Sequence, residues 1–174
     1  TLTRIVSTDT NRFGVYAQDL ISFTEKIKLL AGIRWSWQEA EVINNSLTTQ
    51  APIRKDEAFS PKFGLVYQPT KEMSLFASYS NSFTPNTGTT VDLKPIKPSI
   101  IDQYEAGIKK DFWRGILSTN ITAYQITNSN LAQTAEFKAD GSNNTDTTIK
   151  VLNGETTSKG IEIDITARPT EGLN

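Results

Sequence analysis

The 174 residues carry 18 basic and 19 acidic side chains, a formal charge of −1 scattered along the chain, which leaves no basic footprint for nucleic acid. With no Cys and no His, disulfide frameworks, zinc centres, thiol nucleophiles and Ser-His-Asp triads are excluded within the chain. No run of about eighteen apolar residues offers a transmembrane helix, while a mean hydropathy of −0.38 is compatible with strands that alternate between lipid and water.

The first strand is predicted over Asn11 to Phe23, with Phe13, Val15, Ala17, Ile21 and Phe23 on one face and Asp19 interrupting them. A carboxylate facing lipid is costly, so Asp19 calls for either a position near the membrane interface or a bulge that switches faces. After a turn at Thr24–Lys26, Ile27, Leu29, Ala31, Ile33, Trp35 and Trp37 alternate with Lys28, Gly32, Arg34, Ser36 and Gln38; only Leu30 is out of place. The polar stretch Asn44 to Asp56 then reads as a long loop.

A hairpin follows. Its first arm sets Phe59, Pro61, Phe63, Leu65 and Tyr67 against Ser60, Lys62, Gly64, Val66 and Gln68, and its second sets Met73, Leu75, Ala77 and Tyr79 against serines, with Phe76 the one large residue on the polar side. Pro69–Lys71 is the turn. A second long loop is expected from Thr84 to Pro98.

The fifth strand, Ile101 to Phe112, places Tyr104, Ala106, Ile108 and Phe112 opposite Gln103, Glu105, Gly107, Lys109 and Asp111, with Lys110 on the apolar side close enough to the strand end to snorkel. Trp113–Gly115 is a short turn. The sixth strand, Ile116 to about Asn128, is less sharply divided. Ser129 to Thr157 is expected to be irregular, with a small hairpin at Thr148–Leu152, before a seventh strand carries Ile161, Ile163, Ile165 and Ala167 against Glu162, Asp164 and Thr166. Pro169–Gly172 turns again. Ile33 and Ile163 are expected near mid-membrane.

Connections thus run alternately short and long, as in an antiparallel up-and-down meander whose two rims have different roles. A soluble β-sandwich also alternates, but its strands cluster around 5–6 residues, whereas twelve or more are predicted here. Aromatics favour the membrane wall. Phe59 and Tyr67 are eight positions apart on the apolar face, as are Tyr104 and Phe112; at roughly 3.3 Å per residue and a tilt near 45°, that climbs about 19 Å of a band about 25 Å tall. Trp35, Trp37 and Tyr79 join the upper girdle and Phe23 the lower.

Four segments, VYAQDLISFTEKIKLLAGIRW, SPKFGLVYQPT, SLFASYSNSFTPN and GETTSKGIEIDITARPTEGLN, resemble in the same order the barrel of TonB-dependent siderophore receptors of the bacterial outer membrane. The resemblance implies an all-β transmembrane barrel, with residues 1–174 as about a third of its wall: a 22-strand barrel at about 25 residues per strand and loop needs roughly 550. The plug domain with its TonB box and the remaining strands would lie outside this sequence, which opens at Thr1 without Met. It further implies that the short-turn rim is periplasmic and that the function is TonB-driven uptake of a ferric siderophore, with outer-membrane lipid and, through the plug, the TonB complex as partners. Iron would enter only as cargo, with no cofactor, resident metal or catalytic group. A soluble binding or adhesion module and a passive porin wall are the alternatives.

The charged residues Glu105, Lys109, Asp111, Glu162, Asp164 and Arg168 read as the lining of a hydrated lumen, not as acid–base machinery. A bulky chelate held without a protein–metal bond asks for aromatic surfaces and hydrogen-bonding groups at the lumen mouth. Phe83, Tyr124, Gln103 and Gln38 are the candidates, Tyr124 being expected near the outer end of its strand.

Overall fold

In the computed structural model, residues 6–44 and 53–170 are described. Seven strands, β1 (Val6–Ser22), β2 (Ile27–Asn44), β3 (Arg54–Thr70), β4 (Met73–Thr84), β5 (Ser99–Phe112), β6 (Leu117–Thr134) and β7 (Lys150–Ala167), form one sheet. Every strand pairs antiparallel with its sequence neighbours in the order β1 to β7. Lengths of 12 to 18 residues meet the expectation of twelve or more. At roughly 3.3 Å per residue and a tilt near 45°, the longest climb about 40 Å, well past an apolar band of about 25 Å.

The registers carry the predicted odd and even sets across the whole sheet. One outer row runs Leu75–Ile108–Ile121–Ile163 and the next Ala77–Ala106–Ala123–Ile161. These side chains stay largely open: Ile161 is 72% exposed and Ile163 62%, although they are among the most apolar residues present. An apolar face left uncovered along its length suits lipid, not a second packed sheet. The outer faces of β2 to β4 carry no charge between Ile27 and Trp37, Phe59 and Tyr67, or Met73 and Tyr79.

Turn chemistry closes the short rim. Thr24 Oγ1 accepts the backbone N–H groups of Lys26 at 3.1 Å and Ile27 at 3.0 Å, holding the first turn. The second is tighter than expected, with both strands running to Thr70 and Met73 around Lys71-Glu72. Trp113, Arg114 and Gly115 all have positive φ, a left-handed run that reverses the chain between β5 and β6. Of the fourth turn, Pro169 and Thr170 are described, while Glu171 and Gly172 lie outside the described residues.

Two expectations are corrected and one open choice is decided. The β1–β2 register is continuous from Val6 to Ser22, so no bulge interrupts that ladder at Asp19, which faces outward three residues from the end of β1. Arg54–Asp56 belong to β3, because the ladder Gln38↔Asp56 and Ala40↔Arg54 extends β2 and β3 upward; positions 45–52 of the expected loop lie outside the described residues. β7 begins at Lys150, and Lys150–Leu152 pair with Thr134–Ala132 of β6 in place of a separate hairpin. Ile33 lies one pleat from Trp35 on the outer face of β2, and Ile163 lies midway between the ladder positions that correspond to Tyr104 and Phe112.

Two further features shape the upper wall. Pairing of β3 with β4 stops at Lys62↔Ser80, beside Pro61, which has no N–H to give a ladder. Above that point β3 pairs only with β2, and β4 only with β5. The dry core lies higher still, where the β4–β5 and β6–β7 loops dock: Ile96 is 1% exposed and Ala135 2%. Thr89 donates to the Thr148 carbonyl at 2.9 Å and accepts from Lys150 N–H at 2.7 Å, joining the loops by a short parallel bridge.

Candidate functional site

The inner face of the wall is polar: β1 to β3 carry mainly cations, while β5 to β7 carry acids together with Lys109. Arg12, Lys28, Arg34 and Lys62 stand on the even positions of β1 to β3, where the acid Asp56 is taken up by Arg54 at 2.9 Å. Glu105, Asp111, Glu162 and Asp164 stand on the inner positions of β5 and β7. Those acids meet neutral donors: Gln103 Nε2 donates to Glu105 at 2.5 Å, Ser118 Oγ to Asp111 at 2.5 Å and Asn120 Nδ2 to Asp164 at 3.1 Å. Among the described residues no group of Asp and Glu side chains converges as a metal site requires.

Glycines set how side chains lie on this face. A Cβ at Gly160 would run into the Tyr124 ring, and one at Gly107 into Phe76, so both rings lie flat across the neighbouring strand. Lys109 Nζ caps the Phe76 ring at 5.5 Å. This accounts for Phe76, the large residue on the polar side.

The split above Lys62 and Ser80 opens two adjoining clefts in the wall, lined mainly by inner-face polar residues and also by Phe13, Trp37 and Phe83, whose strand positions belong to the outer set. The upper one, about 420 Å³, brings Gln38 and Phe83 together with Arg12, Arg34 and Ser36. The lower, about 450 Å³, shares Arg34, Ser36 and Phe83 and adds Tyr16, Lys62 and serines of β3 and β4. Arg54 donates to the Asn86 carbonyl and so ties β3 to the loop that follows β4. Asn86 is the anchor of that loop: its Nδ2 donates to the carbonyls of Lys97 at 2.9 Å and Asn130 at 3.0 Å, and its Oδ1 accepts from Ser99 Oγ at 3.0 Å.

The sequence candidates therefore separate into two pairs. Phe83, at the end of β4, and Gln38 share a cleft near the long-loop rim. Gln103 and Tyr124 lie elsewhere, and Tyr124 stands in mid-strand opposite Glu105 and Gly160 instead of near an outer end, since β6 continues to Thr134. Arg12, Arg34 and Lys62 were not singled out from the sequence. The signal available was Pro61, whose missing donor ends the β3–β4 ladder.

The outer girdle candidates fall where the alternation puts them. Tyr79 and Tyr104 stack across β4 and β5 with ring centroids 5.0 Å apart, and Phe59 pairs with Trp35, whose ring meets Phe13 edge-on at 6.2 Å. Trp37 pairs with Phe13, while Tyr67 and Phe112 stand toward the short-turn ends of β3 and β5. Lys110 Nζ lies 5.0 Å from the Phe112 ring centroid, and Trp113, 70% exposed at the turn, adds an aromatic at the same rim.

A meander with an open apolar outer face, aromatic rows at two heights, a polar concave inner face and docked loops at one rim defines a sector of an outer-membrane β-barrel. Residues 2–174 match the family described as "TonB dependent receptor-like, beta-barrel", and the chain belongs to that family. It is 32% identical over 161 residues to the metal-pseudopaline receptor CntO of Pseudomonas aeruginosa, covering 90% of this chain and 22% of that protein. It is 27% identical to the ferric-pyoverdine 358 receptor of Pseudomonas putida, over 92% of this chain and 20% of the relative. Among solved structures it superimposes on the alcaligin outer-membrane receptor FauA of Bordetella pertussis with a TM-score of 0.80 at 20% identity, over 95% of this chain and 28% of the other. The ferripyoverdine receptor of Pseudomonas aeruginosa bound to ferripyoverdine gives 0.79 at 23%, over 96% and 22%. The chain thus spans about a fifth of the length of the relatives it matches.

Proposed function

We propose that this chain is a wall segment of a receptor that carries a ferric siderophore across the outer membrane, driven by the TonB complex through a plug domain encoded elsewhere in the protein. The observation that carries this is the family match along residues 2–174 on a sheet whose outer face is apolar and whose inner face is charged and hydroxylic. A sandwich module would cover that apolar face. The names of the relatives, receptors for ferric pyoverdines and for metal-pseudopaline, support a chelated metal as cargo.

Phe83 and Gln38 contact the chelate from the cleft above the β3–β4 split, and Tyr124 and Gln103 contact it further round the wall. Aromatic surface and amide groups hold a large ligand without replacing its metal ligands. The short-turn rim faces the periplasm and the docked loops face outside.

The test is growth and ⁵⁵Fe uptake, under iron limitation, by cells carrying or lacking the full-length gene, in tonB-positive and tonB-negative backgrounds. Uptake that needs both is the expected result. Uptake indifferent to TonB would favour a passive porin, and none with any ferric chelate would remove the siderophore assignment.

A further inference from the structure

The two clefts at the β3–β4 split share a property that the cargo assignment alone does not require. Arg12, Arg34 and Lys62 line them, no carboxylate side chain does, and among the described residues none of the three cations is ion-paired. All three are exposed toward the lumen side. Arg34 is also positioned. Its guanidinium crosses the neighbouring strand over Gly14, where a Cβ would come within 3.0 Å of Cζ, and its Nε donates to Ser36 Oγ at 2.9 Å.

A guanidinium held by one acceptor and one glycine keeps its remaining N–H groups for a ligand. Paired guanidinium and carboxylate groups form two parallel charge-assisted hydrogen bonds, a geometry that an ammonium ion or a neutral donor does not match. Three unpaired cations on neighbouring inner positions also draw a dipolar or anionic ligand toward β1 to β3.

Resting on the siderophore reading above, we propose that Arg12, Arg34 and Lys62 form a subsite for free carboxylates of the metal chelate, so that the receptor selects an anionic, carboxylate-bearing ferric complex over a neutral one. Gly14 acts as a positioning residue by letting Arg34 lie flat. Each arginine contributes about one charge-assisted hydrogen bond, which corresponds to roughly a tenfold effect on affinity.

The experiment uses the full-length receptor in detergent, with binding followed by intrinsic fluorescence quenching. The probes are a ferric citrate-based polycarboxylate chelate and a ferric trihydroxamate of similar size with no free anion. The polycarboxylate complex should bind more tightly, lose affinity as salt rises, and weaken at least tenfold in Arg34→Gln and in Arg12→Gln. Lys62→Gln and Gly14→Val should show the same sign with smaller loss, and the trihydroxamate should change little. Equal binding of the two probes, or arginine variants that keep wild-type affinity for the polycarboxylate, would overturn the subsite while leaving the receptor assignment intact. Equal weakening of both probes, with an earlier thermal transition, would overturn it in favour of cations that hold the protein's own lumen-filling domain. Binding of neither probe, together with no chelate-dependent uptake, would remove the receptor assignment and the subsite with it.

Discussion

Replacing Ile163 by Arg in the full-length receptor probes the outer face at its most demanding depth. On β5 the aromatic rows are marked by Tyr104 and Phe112, and the ladders carry those rows to Lys159 and Ala167 on β7. Ile163 is the middle of the outward run Ile161, Ile163 and Ile165 and is four residues, about 9 Å of climb at roughly 3.3 Å per residue and 45° of tilt, from each of these positions on its own strand, so it is expected deep in the apolar band. It is 62% exposed and its row neighbours are Ile121, Ile108 and Leu75, none of which can pair a guanidinium. The expected cost is about 2–4 kcal/mol, against about 0–1 for Arg at Ala167 in the girdle row of the same face. A natural cation, Lys159, already occupies the opposite girdle row. Stability is read by urea titration in lipid or detergent, following the heat-resistant folded band. Equal losses at 163 and 167, or a greater loss for Thr166→Arg on the inner face than for Ile163→Arg, would refute a lipid-facing outer row.

Other outcomes follow from the same geometry. The Phe83→Ala, Tyr124→Ala double variant should fold and bind ferric siderophore more weakly in a quenching titration; unchanged binding would place recognition outside this segment. Gly160→Val should displace the Tyr124 ring and cost about 1–3 kcal/mol by overcrowding, whereas Gly141→Ala, in an open turn with positive φ, should cost less, both read from the same urea midpoint. Asn86→Ala removes the side chain that ties the β4–β5 loop to Lys97, Ser99 and Asn130, so chymotrypsin should cut after the exposed Leu93 of that loop faster while the strands stay protected. In the β6–β7 loop the side-chain and backbone groups of Ser142 and Thr148 hold Asp140 and Asp146 below the ordinary carboxylate value of 3.8. Their stabilisation is therefore complete above 3.8 and is lost as pH falls through the lowered values, so the protection factors of that loop, corrected for the pH dependence of intrinsic amide exchange, should stay constant from pH 8 to about 4 and fall only below.

The wall was legible because lipid and lumen impose a period of two on β2, β3 and β5, where Ile27 to Trp37 alternate almost without exception. Strand ends were not legible for the same reason. Above the membrane both faces are wet, so Lys150 to Gly160 alternates polar with polar and looks like loop, and only pairing with β6 makes it a strand. Asp19 shows the opposite limit: the sequence posed a choice between a bulge and an interface position, and the uninterrupted ladder resolves it. Phe83 and Gln38 were chosen from loop position and chemistry, but their shared cleft depends on the ladder ending at Pro61, a tertiary event. Arg34 escaped notice because its orientation rests on Gly14 of the neighbouring strand, which no single-strand pattern relates to it.

The central claim is that one face of this sheet meets lipid and the other a watery lumen. This segment contains no Cys, and in a full-length receptor freed of any cysteine outside it, single cysteines placed in turn from Leu29 to Trp37 can carry spin labels in proteoliposomes. Collision with oxygen, concentrated in lipid, should peak at Leu29, Ala31, Ile33 and Trp35, and collision with a water-soluble nickel chelate at Leu30, Gly32, Arg34 and Ser36. A period-two pattern of opposite phase for the two quenchers is the predicted result; oxygen and nickel accessibilities that rise and fall together along β2 would contradict the membrane wall.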